Sequence, residues 1–165
     1  MSDAEPTLIV QEDTFFIVPR GRLKLREFGG GMIRVGGGED SSGAPAELIF
    51  YERVDAEGPT RSSYSLVPVT DPTALKVALS AALGVRGVVK KRRSLYLARE
   101  TRIHIDDVDG LGAFLELEVV LGTTDGAASH GEGVARCREL METLNIGEDD
   151  LVDTAYIDLL EEVSR

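Results

Sequence analysis

The chain has one cysteine, Cys137, so no disulfide can form within it. Its two histidines, His104 and His130, make no metal-ligand cluster with that cysteine. No secretory leader opens the chain, and no apolar run approaches the length needed to cross a bilayer. These absences set the expectation of a cytoplasmic protein with no membrane partner. Positive charge is also scarce: 18 Lys and Arg against 29 Asp and Glu leave a net charge of −11. Bulk attraction to nucleic acid is therefore not expected.

The few cations are unevenly placed. They gather between Arg20 and Arg102, while Ile103 to Arg165 is mostly acidic, opposed only by Arg136, Arg138 and Arg165. An acidic chain with its cations gathered on strands suggests a local anion site rather than a coated surface. At 165 residues it is expected to be one domain, 1–165. Its 18 glycines argue for turns and β structure.

Basic and apolar residues alternate strictly from Arg22 to Arg26. A strand repeats every two residues, so Arg22, Lys24 and Arg26 share one face and Leu23 and Leu25 the other. Like charges on one face repel, most strongly where water is excluded, and an anionic ligand relieves that cost. Val89 to Arg93 is a second basic strand, with four consecutive cations. Periodicity alone leaves open whether Lys90 and Arg92 or Lys91 and Arg93 point inward. Phe114 to Val119 places Glu116 and Glu118 on one face, with Leu115, Leu117, Val119 and Leu121 on an apolar face that must pack, expectedly against a helix. Paired carboxylates inside a curled sheet suit a hard divalent ion such as Mg²⁺ or Mn²⁺, with Asp106 as a third candidate ligand.

Strands are expected at Thr7 to Gln11, Thr14 to Val18, Arg22 to Phe28, Glu47 to Val54, Arg61 to Val69, Arg86 to Ala98, Thr101 to Val108 and Ala113 to Leu121. Gly29 to Pro45 reads as a hairpin loop, because no Gly-Lys-Ser/Thr and no helix follow its glycines. The clearest helix is capped by Asp71, has Pro72 in its first turn and Gly84 just past its end. Leu75, Val77 to Leu79 and Leu83 form its expected apolar face. A second helix covers roughly Ala127 to Leu144, with Val134, Cys137, Met141 and Leu144 on one side. Asp149 to Val163 carries a less regular helical pattern. The expected fold is α+β: an antiparallel β-barrel with inserted and C-terminal helices.

Gln11-Glu12-Asp13-Thr14-Phe15-Phe16 resembles the Q-x-D-x-Y/F-F opening of the CYTH superfamily. Leu23 to Arg26, Lys91-x-Arg93, Ile103 to Asp106 and Gly110-Leu111-Gly112-x-Phe114-x-Glu116-x-Glu118 follow in that family's order. The resemblance runs from about Thr7 to Leu160 and is strongest to class IV adenylate cyclase-like members. It implies a triphosphate tunnel: a barrel whose cations grip a triphosphate and whose carboxylates serve a divalent metal. Carried over by motif, Lys24, Arg26, Arg53, Lys91 and Arg93 would bind phosphate. Asp106, Glu116 and Glu118 would be metal ligands or metal-orienting groups, for Mg²⁺ or Mn²⁺. The implied partner is ATP, thiamine triphosphate or inorganic triphosphate. In the cyclase version the ribose 3′-hydroxyl attacks the α-phosphorus and pyrophosphate leaves; in the hydrolytic version water attacks the terminal phosphorus.

The sequence departs from the family at its start. The family opens with an E-x-E-x-K strand, whereas only ten residues precede Gln11 here, and no lysine follows Asp3 and Glu5 at the right place. Two expectations follow: a chain that is truncated or mis-started, or a barrel short of its first strand, with an unpaired edge for the Met1–Gln11 segment or a second subunit to fill; a homodimer is one such arrangement. Two competing readings remain: a non-catalytic nucleotide- or polyphosphate-binding module, and a barrel whose charges merely pair with one another.

Overall fold

In the computed structural model, which describes residues 5–29, 46–53, 62–98, 101–119 and 126–165, the alternating stretches form one antiparallel sheet. Its strands are β1 (Thr7–Phe16), β2 (Arg22–Gly29), β3 (Ala46–Arg53), β4 (Ser62–Val69), β5 (Val85–Ala98), β6 (Thr101–Val108) and β7 (Gly112–Val119). Their order across the sheet is β4-β3-β2-β1-β5-β6-β7. All seven contribute to the wall of one cavity, so the sheet curls on itself. Among the described residues no ladder joins the edges β4 and β7, and the tunnel-like sheet stays open there.

An unpaired edge is present among the described residues, and Thr7 to Gln11, one of the two segments expected to fill it, is used elsewhere. Thr7 to Gln11 form the first half of β1, whose ladders run to β2 on one side and β5 on the other. The two stretches expected around Gln11 and Thr14 are one continuous strand. Most of the glycine loop lies outside the described residues.

Helix α1 (Pro72–Leu83) begins as its caps dictate. The Asp71 carboxylate accepts from the Ala74 N–H at 3.0 Å, and Gly84, at φ 79°, ends it by donating to the Ser80 carbonyl. Its apolar stripe is narrower than expected. Leu75 and Leu79, one turn apart, pack on Phe16, Leu25, Ala46 and Val69 outside the sheet. Val77 points away and is 67% exposed.

Helix α2 (Gly126–Thr143) contacts the edge strand β7 and buries Cys137, as expected; Leu144 lies beyond it and is exposed. Asn145, at φ 55°, turns the chain out of the helix, and the Ile146 N–H donates to the Met141 carbonyl. The tail is less helical than its pattern suggests. Glu148–Asp150 is a single 3₁₀ turn, and only α3 (Tyr156–Val163) is α-helical. The non-helical residues between them let Leu151, Val152 and Ala155 line the cavity.

Helix α3 closes one end of the curled sheet. Ile157 is buried with Phe15, Val89 and Val108, and Tyr51, Phe114, Tyr156 and Leu160 pack around them. Gly87 permits this approach: a Cβ there would lie 2.6 Å from the Ile157 Cδ1. Arg86 donates to Glu161 at 2.8 and 2.9 Å and also to Asp158, while Arg22 donates to Asp158 at 2.8 Å. Arg22 thus shares the face of Lys24 and Arg26 but is spent on tethering α3.

Candidate functional site

The curled sheet encloses a cavity of about 1020 Å³. Strand alternation decides what faces it. Gln11, Asp13 and Phe15 of β1, Lys24, Arg26 and Phe28 of β2, and Lys91 and Arg93 of β5 all line the wall. The ambiguity in the second basic strand is thereby resolved. Lys91 and Arg93 point inward and are 5% and 8% exposed, whereas the side chains of Lys90 and Arg92 are 60% and 78% exposed.

Two buried aspartates organise the inward cations by the same geometry. Asp13 lies directly across from Arg26 in the β1–β2 register. It accepts from Arg26 Nε at 2.8 Å and Nη2 at 2.9 Å, and from Lys24 Nζ at 2.7 Å. Asp106 lies directly across from Arg93 in the β5–β6 register. It accepts from Arg93 Nε at 2.6 Å and Nη2 at 2.7 Å, and from Lys91 Nζ at 3.0 Å. Each aspartate therefore holds one arginine by its fork and one lysine diagonally.

The titrations follow from this crowding. Burial alone would raise the Asp13 carboxyl, but Lys24 and Arg26 hold it far below the usual range. Asp106 is lowered in the same way, burial being outweighed by Arg93 and then Lys91. Burial and the neighbouring Arg26 push the Lys24 ammonium down to about 7, despite the opposing pull of Asp13. Burial and Arg93 lower Lys91 likewise.

Tyr156 of α3 reaches into this layer. Its hydroxyl donates to Asp106 at 3.2 Å, Lys91 Nζ stands 5.1 Å from its ring centroid, and its ring lies 5.0 Å from that of Phe114. Burial and the Asp106 charge raise its hydroxyl well above the ordinary tyrosine value.

On the β6–β7 side, register places Glu116 opposite His104 and Glu118 opposite Arg102. Arg93 donates to Glu116 at 2.6 Å, so the second arginine links Asp106 to the carboxylates of β7. Enclosure by the surrounding walls would raise the Glu116 carboxyl, but His104 and Arg93 hold it well below the usual range, even though its side chain opens on the cavity. The Glu116 and Glu118 side chains remain 49% and 35% exposed on the cavity wall.

Residues 1–156 match the family described as the CYTH domain. The chain belongs to the CYTH family. A Methanocaldococcus jannaschii protein named "putative adenylate cyclase" is 31% identical over 71 residues, covering 43% of this chain and 39% of that relative. The chain thus matches well under two thirds of that relative's length. A solved Pyrococcus horikoshii structure superposes with a TM-score of 0.73 at 24% identity, covering 94% of this chain and 85% of that one. A Vibrio parahaemolyticus structure titled "putative adenylate cyclase" gives 0.71 at 21%, covering 96% and 85%. Both structures share the fold.

In this CYTH chain the structure brings together Lys24, Arg26, Lys91, Arg93, Glu116 and Glu118 on one cavity. Arg53 pairs with Ser62 in the β3–β4 register, and its side chain lies outside what the structure describes. Asp106 sits behind the wall, fully enclosed by its partners. Among the described residues, no group of three or more His, Cys, Asp or Glu side chains is gathered to hold a metal. The sequence reading assigned no role to Asp13, His104 or Tyr156. For Asp13 the signal was available, since it alternates with Gln11 and Phe15 on one face of β1. Nothing local marks Tyr156, which meets the site only through the docking of α3.

Proposed function

We propose that this CYTH chain, acting as one 1–165 unit, binds a triphosphate-containing small molecule in the cavity. We further propose that it converts that molecule with a divalent ion, as a class IV adenylate cyclase-like enzyme or a triphosphate hydrolase. The observation that carries this reading is the convergence of Lys24, Arg26, Lys91 and Arg93 on one cavity whose wall also offers Glu116 and Glu118, Glu116 within reach of Arg93.

The chain's own residues supply binding and orientation. Asp13 and Asp106 fix the two arginine forks, so the outward N–H groups of the cation layer are aimed before a ligand arrives. Helix α3 closes one end and keeps bulk water from that side. The cation layer would stabilise negative charge on the phosphoryl group, the dominant catalytic need in phosphoryl chemistry.

The residues fit a divalent ion in part. Glu116 and Glu118 are accessible hard-oxygen donors side by side, whereas Asp106 is consumed by Lys91, Arg93 and Tyr156 and suits a cation-orienting role. Among the described residues, five lining cations (Lys24, Arg26, Lys91, Arg93, Arg102) are matched by Asp13, Glu47, Glu116, Glu118 and Asp150. A polyanion entering so balanced a cavity needs added positive charge. Mg²⁺ or Mn²⁺ held by Glu116 and Glu118 would supply that charge when bound.

Incubation with ATP, thiamine triphosphate or inorganic triphosphate, each with Mg²⁺ or Mn²⁺, tests the reading by its products. Cyclic AMP selects the cyclase, and orthophosphate without cyclic AMP selects the hydrolase. The enclosure of Asp106 favours a second reading, a non-catalytic binding module. Tight binding with no product under all these conditions selects it.

A further inference from the structure

His104 is 4% exposed, yet neither the fold nor the cation layer uses it. Its ring stands between two carboxylates of the neighbouring strand. Nδ1 is 3.4 Å from Glu116 Oε2, and Nε2 is 3.8 Å from Glu118 Oε2. Glu116 Oε2 is also the atom that accepts from Arg93 at 2.6 Å, and Glu118 Oε2 is the atom 3.6 Å from Arg102 Nη1. The result is a cross-strand row: Arg93, Glu116, His104, Glu118, Arg102. Every one of these contacts uses Oε2, so none of them engages Oε1 of either glutamate.

The pattern has a physical consequence. A glutamate beside an arginine fork tends to give it both oxygens, because the bidentate pair is the stronger one. Arg93 already spends Nε on Asp106 at 2.6 Å, and its Nη2 is shared between Asp106 and Glu116. A second donor on Glu116 Oε2 then fixes the carboxylate by one edge and leaves the other edge available. The shorter distance, 3.4 Å, points the Nδ1 side of the ring at Glu116 as the donor.

We infer that His104 is a positioning residue that holds Glu116, through Nδ1–H, with one carboxylate oxygen free for a divalent ion. The inference rests on reading the cavity as a metal-assisted phosphate site. Outer partners of this kind commonly change metal affinity by about 10- to 100-fold when removed.

The test uses the full chain with His104→Phe, His104→Asn and His104→Gln. Asparagine keeps a donor near the Nδ1 position, glutamine keeps one near Nε2, and phenylalanine keeps neither. Mn²⁺ binding is followed by the spin-resonance signal of free Mn²⁺, with inorganic triphosphate present. Metal-free triphosphate titration and thermal midpoints are measured alongside. The expected result is Mn²⁺ binding weakened at least about tenfold by His104→Phe and His104→Gln, and largely restored by His104→Asn. Metal-free triphosphate affinity should stay at the wild-type level in all three. Unchanged Mn²⁺ affinity in His104→Phe overturns the inference. So does an equal loss in His104→Asn and His104→Gln, which decides the matter even if His104→Phe fails to fold. If the wild-type chain binds triphosphate but no Mn²⁺, the metal reading falls and takes this inference with it. If it binds neither, the phosphate reading falls too.

Discussion

Asp106 stands directly across the β5–β6 ladder from Arg93, and both of its oxygens are taken by that one guanidinium, at 2.6 and 2.7 Å. Asp13 and Arg26 repeat the arrangement across β1 and β2. Placing these cations away from water is costly, and the aspartates offset that cost while fixing where each fork points. Asp106→Asn keeps the shape but strips the charge. It is expected to lower stability by about 3–5 kcal/mol, since buried Lys91 loses its paired carboxylate and Arg93 keeps only Glu116. Inorganic triphosphate should then raise the thermal midpoint more in the variant than in the wild type. Denaturant unfolding and thermal scans with and without triphosphate check both parts.

Lys24 gives the site a pH dependence. Its ammonium is pushed down to about 7 in the folded protein, against about 10.4 for an unfolded lysine. Between those values the unfolded chain binds more protons, so this residue makes folding more favourable as pH rises from about 7 to about 10. The cost of burying the ammonium is fully present below pH 7. Phosphate binding needs the charged form and runs the opposite way. Affinity for inorganic triphosphate should fall by up to about tenfold per pH unit above 7. Lys24→Arg should flatten the profile, and calorimetry from pH 6 to pH 9 on both proteins reads the difference. A wild-type profile identical to that of Lys24→Arg would remove Lys24 from the site.

Tyr156 couples helix α3 to the cation layer. Tyr156→Phe removes only its 3.2 Å hydrogen bond to Asp106 and should cost about 1 kcal/mol of stability. Tyr156→Ala also removes the packing on Phe114 and Lys91 and should cost about 3–5 kcal/mol. Urea unfolding of the two variants separates the hydroxyl from the ring.

Gly87 is expected to tolerate no side chain unless the Ile157 side chain shifts. Gly87→Ala would press on the Ile157 Cδ1 from 2.6 Å and should destabilise by about 1–3 kcal/mol. Ile157→Val, which shortens that side chain, should recover part of the loss in the double variant. Additive effects in a double-mutant cycle would contradict the contact.

Much of this fold was legible because strand alternation is a local signal. The spacing of Arg22, Lys24 and Arg26 sets one face whatever lies opposite, and the Asp71-Pro72 start and Gly84 stop fix α1 by local chemistry alone. The four cations from Lys90 to Arg93 carry no phase of their own, because a run lacks alternation. The family motif pointed to Lys91 and Arg93, and the register against β1 and β6 turns that pair inward. Tyr156 was missed for a related reason. Its place beside Asp106, 50 residues away in sequence, depends on α3 docking over Gly87 and on the Arg22, Arg86 and Asp158 tether. Thr7 to Gln11 was legible as strand but not as an interior one, because a β-rich stretch says nothing about which strands it will lie between.

Calorimetric titration of inorganic triphosphate, with and without Mn²⁺, into the wild type, Arg26→Ala and Arg92→Ala tests the central claim most directly. Arg26 lines the cavity with Lys24 still present to hold Asp13, while Arg92 points outward and is paired with Asp107 at 3.1 Å. The account predicts binding to the wild type, unchanged affinity in Arg92→Ala, and a roughly ten- to hundredfold loss in Arg26→Ala. Equal affinity in Arg26→Ala and the wild type, or no binding to the wild type at all, would contradict it.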